Sequence, residues 1–193
     1  ELRRARRLEA VELAVEDVER RVEARRDVPV ALEDRRLEAA GDRLSFIDSN
    51  IERSDFRLAN LSKVSTHENV KANYTDFRRA NLTESNLRGS SMKYADFSDA
   101  KIDKCDFSET DLYGAKFARV LGPSSRFQRA NLDHVDFTGA DLSEANFQYA
   151  HFVNSDAKGT NFFMVDFTYS HIKDVVFEQA NISRTILDGF SFP

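Results

Sequence analysis

Ala130-Asn131-Leu132-Asp133-His134, Val135-Asp136-Phe137-Thr138-Gly139, Ala140-Asp141-Leu142-Ser143-Glu144 and Ala145-Asn146-Phe147-Gln148-Tyr149 are consecutive blocks of five with one pattern: a small residue, Asp or Asn, a bulky apolar residue, then two variable positions. Followed in both directions, the bulky position recurs unbroken from Phe77 to Phe192 at 24 sites, and only Gly122 and Ala157 there lack a large apolar side chain. Four earlier blocks, at Phe46, Ile51, Phe56 and Leu61, keep the spacing but are shifted by one residue. Of the 16 Phe in the chain, 14 fall on this one position, so the repeat and not composition places them. Two residues earlier the site is small or β-branched at every block but the one with Phe190, and Asp or Asn stands between in 14 of the 24.

A stripe of period five would wind round the whole circumference of an α-helix and alternate between the faces of a long strand. A chain that turns a corner every five residues instead buries the bulky residue and the small one two before it, because positions i and i−2 share a face of an extended segment. Four such sides close a coil of 20 residues, and stacked coils bond through their backbones. Residues 20 apart are then vertical neighbours. Phe77, Phe97, Phe117 and Phe137 form an inner column, while outside Asp99 falls between Arg79 and Arg119, Lys116 between Asp96 and Asp136, Lys104 beside Glu84 and Glu109 beside Arg129.

The blocks resemble the pentapeptide-repeat family, whose consensus is A-(D/N)-L-X-X, over about three-quarters of the chain. The resemblance implies a mainly β fold, a right-handed quadrilateral β-helix of about seven coils, over residues 44–193. Residues 1–43 read differently, with an apolar seam at Leu8, Val11, Val15, Val18 and Val22 that predicts a first helix. Asp27-Val28-Pro29 predicts the start of a second, running to about Ala40 before Gly41 and capping the first coil. The segment is expected to serve as a cap, an oligomer contact or both. An interruption is expected at about 62–76, where Leu61 to Phe77 spans one residue more than three blocks. A wider corner is expected at Leu121-Gly122-Pro123, and a gap at Ala157 unless Phe163 or Met164 leans in.

Charge narrows the partners. The chain carries −5, with 13 Lys+Arg against 12 Asp+Glu over 44–126 but 4 against 9 over 127–193. An acidic distal half repels phosphates, so direct nucleic-acid binding is not expected and a protein partner is. No stretch matches a membrane span or a secretory signal, and one cysteine fits a reducing compartment, which points to the cytoplasm for the residues given. An upstream membrane or targeting segment stays open, since the sequence begins at Glu1. No phosphate loop, dinucleotide fingerprint or nucleophile elbow is present, and recurrent Asp or Asn at a corner reads as structural. No catalytic residue, cofactor or metal is expected.

The residues singled out for partner binding are His67, Glu68 and Asn69 in the interruption, and Tyr149, Tyr169, His151 and His171, two pairs each 20 apart. Plain surface residues are the simplest account of the Tyr/His set, and a protein contact patch the sharper one. The reading is a non-enzymatic protein–protein interaction scaffold. The family resemblance adds an alternative: its gyrase-protecting, Qnr-type members are acidic rods that mimic DNA in the saddle of type II topoisomerases. This chain is expected to depart from them in an N-terminal helical segment, and no C-terminal dimerising helix is expected within the residues given. A homodimer is expected through the N-terminal helices or through an open last coil near Ile186, Phe190 and Phe192.

Overall fold

The computed structural model describes residues 36–40, 43–47, 49–67 and 70–189. From Asn50 onward the chain is a stack of parallel coils held by single-residue bridges in four ladders. One ladder runs Asp76, Asp96, Lys116, Asp136, Asp156, Val176, and another Asn86, Asp106, Arg126, Asn146, Asp166, so each step is 20 residues. Five longer strands accompany them: β1 (Arg36–Ala40), β2 (Arg43–Ile47), β3 (Ser65–His67), β4 (His151–Val153) and β5 (His171–Lys173). β1 pairs antiparallel with β2, β2 parallel with β3, and β4 parallel with β5. There is no helix among the described residues.

Backbone accounting explains the block. In Ala95-Asp96-Phe97-Ser98-Asp99 the Phe97 and Asp99 amides donate to Lys116 and Ala118 of the next coil at 2.7 and 2.9 Å, and the Asp96 amide to Thr75 of the previous coil at 2.9 Å. The Ala95 amide closes the preceding turn onto Met92 at 3.2 Å. That leaves Ser98, whose amide donates to the Asp96 carboxylate at 2.9 Å. Seventeen blocks make this same contact, which assigns the recurrent Asp or Asn to backbone capping. The third residue of each turn has positive φ, as a type II turn requires. For Arg79 (φ 59°) that conformation costs about 1–2 kcal/mol, offset in part by its amide bond to Ser98 at 3.1 Å.

Inside, bulky side chains stack along each column. Phe77, Phe97, Phe117 and Phe137 follow one another at centroid distances of 4.9, 4.7 and 5.2 Å, and Phe107 meets Phe97 and Phe117 edge-on at 5.4 and 5.5 Å. Truncating one such buried Phe costs about 3–5 kcal/mol. Hydroxyls at the small inward sites donate to the coil before, as Thr75 does to Ile51 at 2.7 Å and Thr160 to Phe137 at 2.7 Å, or within their own turn, as Ser125 does to Gly122 at 2.8 Å.

Several expectations change. Residues 36–40 were expected to end a helix and instead form β1, because β2 presents a strand edge above the first coil and a hairpin partner satisfies its amides. The first helix lies outside the described residues. The interruption at 62–76 is confined: Val64, Thr66, Val70 and Ala72 are buried in the wall, and the step lengthens to 21 residues from Asn50↔Lys71 through Ser65↔Asn86 before returning to 20 at Lys71↔Ser91. The extra residue therefore lies between Ser65 and Lys71. The Leu121 corner keeps its ladder and its turn bond, Ser125 to Gly122 at 3.3 Å, and is not interrupted. Pro123 fits there because Leu121 offers no capping oxygen and Pro has no amide to cap. At Ala157 the space is taken by Phe152 and Phe162, which reach Phe137 edge-on at 5.7 and 6.5 Å, while Met164 is exposed. Ile172, Val175, Ile182 and Leu187 are only partly buried at the far end of the described coils, and Ile186 is exposed.

At Gly122 the core leaves no room for a side chain. A Cβ there would lie 2.5 Å from Ile102 Cγ1 and 2.8 Å from its Cδ1. Gly122→Ala is expected to destabilise the fold by about 1–3 kcal/mol in urea unfolding. In an Ile102→Ala background the same change should cost nothing or stabilise, and equal losses in both backgrounds would refute the packing assignment.

Candidate functional site

The corner that follows each bulky residue of the Phe127, Phe147 and Phe167 column places position 149 or 169 in the turn and 151 or 171 at the next bridge. Stacking coils then align like side chains. The Tyr149 and Tyr169 rings stack at 5.0 Å and 15°, and the His151 and His171 rings at 5.1 Å and 29°. Arg129 lies over Tyr149 at 5.4 Å. Both phenols stand out from the wall, Tyr149 at 51% and Tyr169 at 76% exposure. Beside them Gln148 donates to Asp166 at 2.8 Å and to Thr168 at 3.1 Å, and accepts from Gln128 at 3.0 Å, fixing the floor of the patch.

Of the other sequence candidates only His67 is among the described residues. His67 ends β3, whose ladder reaches Asn146 in four steps, or roughly 19 Å at ~4.8 Å per coil. Glu68 and Asn69 lie outside the described residues. A second aromatic ladder was missed: Tyr74 stacks on Tyr94 at 5.0 Å, Tyr94 meets Tyr113 edge-on at 5.5 Å, and Tyr113 meets His134 at 5.1 Å, with Arg53 over Tyr74 at 5.4 Å. Its signal was available, since Tyr74 and Tyr94 are 20 apart. Tyr113 enters because position 114 is Gly, whose Cβ would sit 2.6 Å from the Tyr94 ring. Burial, with smaller contributions from Tyr113 and Tyr74, raises the Tyr94 phenol above its ordinary value.

Of the expected charge pairs, Arg119 grips Asp99 through two bonds at 2.8 and 2.9 Å, and Arg129 approaches Glu109 at 3.8 Å. The Arg119 hydrogen bond holds the Asp99 carboxyl below its usual range. Glu84 pairs with Lys63 at 3.5 Å, and neither Lys104 nor Lys116 makes an ion pair among the described residues. No cluster of three or more His, Cys, Asp or Glu able to hold a metal is found among the described residues. No helix among them is long and apolar enough to cross a membrane.

The family described as Pentapeptide repeats matches in eight copies across residues 68–93, 90–120 and 125–162. The chain is a pentapeptide-repeat protein. Members of the family wind as right-handed β-helices, which gives the coils their hand. Among solved structures, a trypsin-treated variant of QnrB1, titled a plasmid-mediated fluoroquinolone resistance protein, is 18% identical, with a TM-score of 0.57 over 74% of this chain and 72% of its own. HetL of Nostoc sp. strain PCC 7120, titled as involved in heterocyst differentiation regulation, is 15% identical over 77% and 83%, with a TM-score of 0.26. Rfr23 of Cyanothece 51142 is 20% identical over 74% and 90%, with a TM-score of 0.31. No curated protein matches the chain.

Cys105 occupies an inward small-residue site of this pentapeptide-repeat wall and is fully buried, and that burial pushes its thiol well above its ordinary value. The unfolded chain alone then ionises it, so its contribution to stability is whole below the unfolded thiol pKa of about 8.5 and declines as pH rises above it. At pH 8 a thiol-reactive disulfide reagent is expected to label native Cys105 more than about a thousandfold slower than the urea-unfolded chain. Immediate stoichiometric labelling of the native protein would place Cys105 outside the core.

Proposed function

We propose that this protein is a non-enzymatic interaction scaffold, a stiff rod whose aligned surface columns engage a protein partner. The observation that carries the reading is the Tyr149/Tyr169 and His151/His171 corner: four stacked rings beside Arg129, none needed to fill the core. Tyr and Arg are the residues that dominate protein contacts, and pre-stacked rings lose little conformational freedom on binding. His67, Glu68 and Asn69 are proposed as an outlying contact. The proposed division is a separate segment over 1–43 and the solenoid over 44–193. Self-association through either end is part of this reading, supported by the half-buried Ile172, Ile182 and Leu187.

The test compares immobilised full chain with a Tyr149→Ser/Tyr169→Ser variant of equal thermal stability. Both substitutions lie at exposed positions, so the fold should hold. A partner retained by the wild type and depleted at least about tenfold by the variant supports the reading. Equal retention by both proteins would remove this corner from the binding surface.

A second reading is DNA mimicry against gyrase, supported by the fold likeness to QnrB1 and by the acidic balance of 127–193. It expects inhibition of gyrase supercoiling, or protection of gyrase from a fluoroquinolone, at micromolar protein. Full supercoiling and unchanged drug sensitivity would remove it.

A further inference from the structure

An open groove of about 850 Å³ lies on another side of the rod. Its walls are built from Arg–Asp forks. Arg57 binds Asp55 at 2.9 and 2.7 Å, Arg78 binds Asp76 at 2.9 and 2.7 Å, and Arg119 binds Asp99 at 2.8 and 2.9 Å. Each fork is close to neutral. Two further cations line the groove, Arg79 and Lys116, and neither has a carboxylate within ion-pair distance among the described residues. Asp99 stands next to Arg79 in the turn column but spends both oxygens on Arg119. Lys116 sits on the ladder between Asp96 and Asp136, and the Asp96 Oδ1 already takes the Ser98 amide and hydroxyl.

With the fork partner Asp76 included, Arg57, Arg78, Arg79, Lys116 and Arg119 stand against Asp55, Asp76, Asp96 and Asp99, a balance of +1 in a chain of −5. At one edge Leu58 is 67% exposed, an apolar foothold beside the charges. We infer that this groove docks an acidic, extended segment of the partner protein, two of whose carboxylates seat on Arg79 and Lys116 while an apolar side chain covers Leu58. A nucleic acid fits less well, because its unbroken run of phosphates would pass over Asp55, Asp96 and Asp99 and meet an acidic distal half. A peptide can space its carboxylates to Arg79 and Lys116, and cations that make no ion pair among the described residues offer charge-assisted bonds without first breaking such a pair. The inference rests on the scaffold reading and supplies its second contact surface and partner chemistry.

The test uses fluorescence polarisation with the full chain and a labelled peptide of about ten residues alternating Glu and Leu. A Gln/Leu peptide and a single-stranded oligonucleotide of similar length serve as the other arms. The Glu/Leu peptide is expected to bind. Its affinity should fall at least about tenfold in Arg79→Gln/Lys116→Gln, and by a similar factor between roughly 50 and 500 mM salt. Both substitutions remove exposed cations that make no ion pair among the described residues, and unchanged thermal unfolding verifies the fold. Tyr149→Ser/Tyr169→Ser should bind the peptide as the wild type does. No binding, equal binding by wild type and the double variant, or equal binding of the Gln/Leu peptide would overturn the groove assignment. Tighter binding of the oligonucleotide, lost in the same variant, would overturn it in favour of a nucleic-acid site. Peptide failure with intact partner retention at the Tyr149 corner would sink the groove and leave the scaffold reading standing, whereas loss of that retention alone would sink the corner.

Discussion

One amide in every five sets the terms of this structure. A chain that turns every fifth residue can send two N–H groups to the next coil, one to the previous coil and one across its own turn, as Phe97, Asp99, Asp96 and Ala95 do. The fifth, at Ser98, points where no backbone carbonyl waits, and only a short acceptor two residues earlier reaches it. Asp and Asn are the side chains of that length. Two blocks without Asp or Asn show the same need met differently. At Lys93 the block lacks a capping residue and the amide takes the Asn73 side chain of the coil before at 2.8 Å, while at Pro123 there is no amide at all.

With its backbone satisfied locally, the wall can bring two side chains per block inward. Small residues leave room for bulky ones, and rings stack down each column and meet edge-on between columns. The arrangement tolerates irregularity where neighbours can compensate: Ile102 and Leu142 close on Gly122, and Phe152 and Phe162 close on Ala157. An interior consumed by packing places function on the outside, where two positions per block are unconstrained by either the ladder or the core. At those positions the coil period acts as a ruler, bringing residues 20 apart into contact and turning scattered tyrosines into ladders.

Legibility followed that division. The core column, the burial of small residues and the pairing of Tyr149 with Tyr169 were readable because each depends on spacing alone. The strand at 36–40 was not, since its local sequence is helix-compatible and its conformation is set by the open edge of β2. The interruption near 62–76 read as a loop because Thr66 and Ala72 lack bulk, yet both are buried in the wall. Charge pairs were half legible: spacing identified vertical neighbours, but Arg side chains also fold back on the Asp two residues earlier in their own block, as Arg78 does on Asp76. In the Tyr74 ladder the Tyr74–Tyr94 step was readable from spacing, but Tyr113 joins one residue out of phase, through space that Gly114 leaves open.

The capping rule also bears on what the acidic balance means. In the distal half Asp136, Asp141, Asp156 and Asp166 each accept the backbone amide two residues on, so their presence follows from folding before any question of partners arises. They fall on three different ladders, those of Lys116, Leu121 and Arg126, and their charge is therefore distributed around the rod instead of gathered on one side. A surface that imitates a duplex needs rows of negative charge along the faces it presents. Columns of stacked rings at one corner, and on another side a groove whose Arg79 and Lys116 make no ion pair among the described residues, give this rod distinct sides, an asymmetry that suits the proposed recognition of a protein partner.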